Sequence, residues 1–254
     1  MNEGFISVLL RVYQDARYLL DWLPLAPRET PSERTILRHH ISTANPLILD
    51  VGANLGSSVA FYRRLFPNAR VIAFEPDPET FRRLKRRHGN ASNVTLLNCG
   101  VGATLGRLTL QRNTHSSTNS FLEIDENTAW VRATPGFRKI DPVEVDVVTL
   151  DGIADTLSLN RIDFVKCDTQ GFEPEVLNGA RKLLEERRIG LLRLEIMCGR
   201  FYQKSVSLFD IETILHPFGY RLISFGGLHF DEAGVLKYFD TYFALHRPAL
   251  TQES

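Results

Sequence analysis

Short apolar runs alternate with amphipathic stretches from residue 47 to the end of the chain. Residues 47–51 (LILDV), 71–74 (VIAF), 93–98, 162–167 and 191–196 have the pattern of strands buried on both faces of a parallel sheet. Helical spacing falls between them: a segment opening after Gly56, residues 77–88 with Pro78 in the first turn, and residues 172–180. A further helix over 208–216 and strands over 220–225 and 238–246 follow, while 105–111 and 143–150 alternate apolar with polar and pair as an antiparallel extension. Such alternation predicts an α/β fold. The first 44 residues read differently. Residues 5–23 are apolar at helical intervals, but Arg11, Asp15, Arg17 and Asp21 interrupt them and exclude an ordinary membrane span. A helix packed on the main domain is expected there, with a membrane-surface helix or a dimer contact as the other readings. Prolines 24, 27 and 31 punctuate a connector, and 33–41 forms a second helix, giving a helical extension over 1–44 and a main domain over 45–254.

The turn after the first run carries the first candidate chemistry. Gly52 lets the chain turn sharply and brings bare backbone near a ligand. Asn54, preceded by Ala53, tolerates unusual backbone angles, and Gly56 permits close packing where the helix begins. Glu75, followed by Pro76, ends the next run, where a carboxylate accepts both hydroxyls of a ribose. A nicotinamide fingerprint would read G-x-G-x-x-G, but the frame here is Asp50-x-Gly52-x-Asn54-x-Gly56. Asp50 sets negative charge where a pyrophosphate is repelled and where the amino and sulfonium groups of S-adenosylmethionine are welcome. The expected cofactor is therefore S-adenosylmethionine.

A second constellation follows residues 162–167. Asp168 falls at the carboxyl end of that strand, where open α/β sheets bind ligands. Thr169-Gln170-Gly171 makes a tight turn, Glu173 lies in the next helix, and Glu195 ends the following strand. Asp168, Glu173 and Glu195 are the candidates for orienting or deprotonating an acceptor hydroxyl, directly or through a divalent metal. Asp168 has the alternative of holding the cofactor amine, and Glu173 that of favouring its own helix terminus. Residues 112–141 are polar and long enough to be a substrate lid or an inert loop. His229 reads as a loop residue, and Phe201, Tyr202, Phe225, Phe230 and Tyr238 as core or surface anchors, some lining an acceptor pocket.

In order, DVGANLG, FEPDPETFRRL, VDVVTLDGI, IDFVKCDTQGFEPEVLNGA, LLRLEI and FDIETILHPFGYRLI resemble the FkbM-type methyltransferases, over roughly residues 45–246. The resemblance implies a class I, S-adenosylmethionine-dependent enzyme with a Rossmann-like seven-stranded sheet whose last strand is inserted antiparallel. It implies O-methylation of a sugar, glycolipid, polysaccharide or secondary-metabolite hydroxyl. It also implies that Cys99, Gly100 and Val101 lie against the adenine. Many relatives carry Asp-Val-Glu-Gly where this chain has Asp168-Thr169-Gln170-Gly171, and Gln170 cannot act as a base. The DTQG form also occurs in the family.

Charge and cysteine usage then narrow the setting. Lys plus Arg and Asp plus Glu are 30 each, so no basic excess attracts nucleic acid. Cys99, Cys167 and Cys198 lack metal-ligand spacing, and with no cleavable signal segment the expected compartment is the reducing cytoplasm. Two other functions stay open: a binding module that keeps S-adenosylmethionine without turnover, and a nicotinamide-dependent oxidoreductase. Metal dependence and homo-oligomerisation also stay open.

Overall fold

The computed structural model describes residues 30–245, apart from 129, 130, 133, 200 and 205. The helix expected over 5–23 lies outside the described residues. The chain divides into two units, Met1–Pro31 and Ser32–Ser254, and every element named here belongs to the second. The second helix of the expected extension, over 33–41, falls in the second of these units. Helix α1 (Glu33–His40) is part of the main unit because Ile36 and Leu37 are buried in its core.

The main sheet contains β1 (Leu47–Val51), β2 (Arg70–Phe74), β3 (Val94–Leu97), β7 (Ile162–Cys167), β8 (Ile189–Met197), β9 (Tyr220–Phe230) and β10 (Leu236–Leu245). Their order is β3-β2-β1-β7-β8-β10-β9. The first five are parallel, and β10 enters antiparallel to both neighbours, as expected. A smaller sheet joins β4 (Gly100–Val101), β6 (Lys139–Val148) and β5 (Gly106–Asn113) in that order, with β5 and β6 antiparallel.

Strand alternation sorts the core into two layers. Ile48, Val71, Ala73 and Phe164 face α1, α2 (Ser57–Leu65) and α3 (Pro78–His88). Leu49, Val51, Ile72, Val165 and Cys167 face α4 (Leu150–Thr156), α5 (Glu173–Asn178), α6 (Arg181–Glu185) and α7 (Leu208–Leu215). Two helix starts show their local cause. Asp77 caps α3 by accepting from Glu79 N and Thr80 N ahead of a first-turn proline, and Ser207 with Asp210 forms a capping box on α7.

Several boundaries differ from the sequence pattern. The helix expected over 172–180 ends at Asn178, and α6 follows as a separate short helix. A β-carbon on the intervening Gly179 would stand 2.0 Å from the Gly102 carbonyl, so the break allows the small sheet to pack closely. Leu150 opens α4, capped by Thr149, and does not continue a strand. β9 runs on to Phe230, so His229 is a strand residue stacked 4.2 Å from the Tyr238 ring, and not part of a loop.

Candidate active site

The carboxyl ends of β1, β2 and β7 open into a cleft of about 330 Å³. Gly52 has φ +77°, and a β-carbon there would sit 2.0 Å from the Asp168 carbonyl oxygen. The bare backbone thus admits the neighbouring strand, as well as lining the cleft. Gly52 N and Ala53 N both donate to Phe74 O, which ties the turn to β2. Asn54 takes φ +48°, and its backbone N–H donates to Glu75 Oε2 at 2.8 Å.

Glu75 is 6% exposed and also accepts from Asp77 N at 2.9 Å. Burial raises its pKa to about 7 against the pull of these two backbone donors. Pro76, Cys99, Gly100 and Val101 line the same end of the cleft. Burial pushes the Cys99 thiol up to about 11, so it serves as an apolar wall. Gly56 packs α2 on α3: a β-carbon there would strike the His88 ring at 2.5 Å. Ala53 is buried and borders a second, 670 Å³ cavity that shares Gly52, Asn54, Ser116, Ser117 and Asp168 with the first.

Asp50 and Glu173, like Gly56, line neither cavity. Asp50 is 0% exposed, accepts from Ser58 Oγ and pairs with Lys166 Nζ at 3.2 Å. It braces the turn from behind. Glu173, 1% exposed, accepts at Oε1 from Thr169 N at 2.8 Å and Thr169 Oγ1 at 3.0 Å, holding the turn after β7. Burial raises its pKa to about 7, and it borders neither cavity.

Asp168 and Glu195 do meet in the cleft. Gln170 Nε2 donates to Asp168 Oδ1 at 3.0 Å and to Glu195 Oε2 at 2.6 Å. Lys166, buried in β7, donates to Gly52 O at 2.7 Å and lies 3.4 Å from Asp168 Oδ2. Lys166 and Gln170 were not among the expected site residues, and Tyr202 was expected only as one of several aromatic anchors. The one signal for Lys166 was a lysine inside the apolar run IDFVKC, where an unpaired charge would be prohibitive. Tyr202 Oη lies 3.0 Å from Thr118 O and 3.2 Å from Gln170 Oε1.

The described residues of 112–141 form neither a free loop nor a separate domain. Arg112 and Asn113 end β5, residues 139–141 begin β6, and two 3-10 turns (Ser116–Thr118 and Pro135–Phe137) lie between. Ser116 Oγ donates to Asn54 Oδ1 at 3.1 Å and Ser120 Oγ to Gln170 O at 2.9 Å, so this segment spans the cleft from one end to the other. Among the described residues no group of three or more His, Cys, Asp and Glu stands ready to hold a metal ion. No described helix is long and apolar enough to cross a membrane.

A sequence model for the Methyltransferase FkbM domain matches residues 50–222. The chain belongs to the FkbM methyltransferase family. It is 34% identical over 158 residues to Methyltransferase sdnD of Sordaria araneosa, covering 54% of this chain and 61% of that one. It is 25% identical over 154 residues to the 2-O-methyltransferase NoeI of Sinorhizobium fredii, covering 57% and 61%. It is 23% identical over 175 residues to the hexuronic acid methyltransferase AglP of Haloferax volcanii, covering 68% and 65%. The matches thus span less than two thirds of each of these relatives. The crystal structure of an FkbM methyltransferase from Methylobacillus flagellatus superposes with a TM-score of 0.51 at 21% identity, covering 79% of this chain and 44% of that one. This likeness supports the same class I sheet.

The donor set suits S-adenosylmethionine. Glu75 offers a buried acceptor for a diol, Phe74, Cys99 and Val101 offer an apolar slot for a flat ring, and Asp168 offers negative charge beside the Gly52 turn for a cationic end.

Proposed function

We propose that the chain is an S-adenosylmethionine-dependent O-methyltransferase acting on a hydroxyl of a sugar or another small hydroxylated acceptor. One observation carries the reading: a single cleft sets Glu75 at one end and the Asp168–Gln170–Glu195 group at the other. S-adenosylmethionine supplies a methyl group on a sulfonium, and the electron pair of the broken carbon–sulfur bond stays on sulfur. Glu75 would hold the ribose, the Phe74–Val101 wall the adenine, and Asp168 the ammonium end. The segment over 114–121 would keep water from the reacting oxygen.

The 2-O-methyltransferase and hexuronic acid methyltransferase among the relatives support a sugar acceptor. Phe137, Phe201 and Tyr238 line the cleft together with Glu195, and such aromatic faces suit the C–H face of a sugar ring. Three cysteines without a disulfide support a reducing compartment such as the cytoplasm.

The test is incubation with methyl-tritiated S-adenosylmethionine and a panel of hydroxylated sugars that includes uronic acids. Label that survives mild alkali on the sugar is expected, as for a methyl ether. Alkali-labile label would place the methyl group on a carboxyl, and no label with a donor that binds would make the chain a binding module.

A further inference from the structure

Asp168 and Glu195 face the same cleft in different electrical surroundings. Asp168 is engaged on both oxygens, with Lys166 at Oδ2 and the Gln170 amide at Oδ1. Glu195 has no cation bonded to it among the described residues. Its Oε2 accepts from the same Gln170 nitrogen, which leaves Oε1 without a hydrogen bond among those residues. Gln170 therefore commits both protons of one NH₂ group to two carboxylates.

The placement of Gln170 is itself fixed. Its backbone stands at φ +57°, its carbonyl accepts from Ser120 Oγ, and its Oε1 lies within reach of the Tyr202 hydroxyl, whose single proton is shared with Thr118 O. A non-glycine residue in the left-handed region persists where its surroundings over-determine it, and such residues cluster at functional sites.

We infer that Glu195, and not Asp168, takes the proton of the acceptor hydroxyl, and that Gln170 is the positioning residue that holds Glu195 Oε2 so that Oε1 is left for the acceptor. This rests on the methyl-transfer reading. In the step, the O–H bond of the acceptor breaks, its electron pair stays on oxygen for the new bond to carbon, and the proton bonds to Glu195 Oε1, from which it passes to water. A carboxylate paired with an ammonium is a weak base, whereas one held only by a neutral amide beside apolar walls is a stronger one.

The charged and titratable groups around Glu195 include Asp168 and Lys166 of β7, Glu173 of α5 and Asp240 of β10, with Tyr202 and Tyr238 also near and Lys237 of β10 lining the same cleft. Burial first, then the Asp168 charge, holds Glu195 well above the usual carboxylate range. Burial also acts upward on Asp168, but Lys166 and the Gln170 amide outweigh it and hold Asp168 below its usual value. A glutamate at position 170 would set a third carboxylate between these two, whereas the neutral amide donates to both.

The experiment is a carboxyl-carbon NMR titration of aspartate- and glutamate-labelled protein, with and without S-adenosylhomocysteine. The wild type is compared with Glu195→Gln, Asp168→Asn, Gln170→Glu and Tyr202→Phe. The resonance missing in Glu195→Gln is expected to titrate above the ordinary glutamate range, and the one missing in Asp168→Asn below the ordinary aspartate range. Gln170→Glu is expected to move Glu195 further up, and Tyr202→Phe, which keeps the ring, to move it in part. Affinity of Glu195→Gln for S-adenosylhomocysteine is expected to stay within about threefold of wild type. Asp168 titrating above Glu195 would overturn the assignment. So would a loss of roughly tenfold or more in that affinity, since it would make Glu195 a cofactor ligand. Wild-type protein that binds no S-adenosylhomocysteine would overturn the methyl-transfer reading, and this assignment with it.

Discussion

Gly52 has no room for a β-carbon, and its position fixes how closely β1 and β7 approach. Gly52→Ala meets both the Asp168 carbonyl at 2.0 Å and a positive φ, and is expected to cost at least about 2 kcal/mol. Gly106→Ala, with nothing within 4 Å, is the control and should be close to neutral. Denaturant midpoints of the two variants measure the difference. Lys166→Met leaves Asp50 buried and unpaired and is expected to cost about 3–5 kcal/mol, with partial recovery on adding Asp50→Asn. The place of Glu75, at the carboxyl end of β2 and lining the cleft, was legible because it ends an apolar run in the sequence. Asp50 was misplaced because the frame of a turn does not say which side of it a side chain faces, and the partner that draws it inward, Lys166, lies 116 residues on in sequence. Gln170 was set aside as unable to act as a base, but its role is to donate, which depends on two carboxylates brought together only by the fold.

Strands and helices were far more legible than the contacts between them. Short apolar runs between helical stretches located the five parallel strands, and the antiparallel insertion of β10 followed from the family resemblance. What periodicity missed were the ends set by tertiary packing: the break at Gly179 and the extension of the β9–β10 hairpin. The segment over 112–141 was opaque for the same reason. Residues 116–120 are held by Ser116 bonding to the Asn54 side chain, Ser120 to the Gln170 carbonyl and the Thr118 carbonyl to the Tyr202 hydroxyl, partners distant in sequence. Because it touches both ends of the cleft, hydrogen exchange over residues 111–121 is expected to slow when S-adenosylhomocysteine binds. Unchanged exchange there, in protein shown to bind that ligand, would mean the segment is not a cover.

Across the whole molecule, two buried carboxyls couple stability and binding to pH. Glu75 and Glu173 are each raised from 4.5 to about 7, so between those values the folded protein holds more protons than the unfolded chain. Stability from each is full below about 4.5, declines as pH rises through the window and levels off above about 7. Wild type is therefore expected to lose stability relative to Glu75→Gln as pH rises across it, as read by thermal melts. A ribose donating two hydroxyls favours the ionised form of Glu75, so ligand binding near pH 6 should release protons into the buffer. Whether the cleft holds S-adenosylmethionine is decided by calorimetric titration of wild type and Glu75→Ala with S-adenosylmethionine and S-adenosylhomocysteine, with NADH in the same buffer. Micromolar binding of both adenosyl ligands is expected, none of NADH, and a loss of roughly 10- to 100-fold in Glu75→Ala, as for hydrogen bonds to a charged group. Binding of NADH in their place, or equal affinity in the variant, would contradict this reading of the cleft.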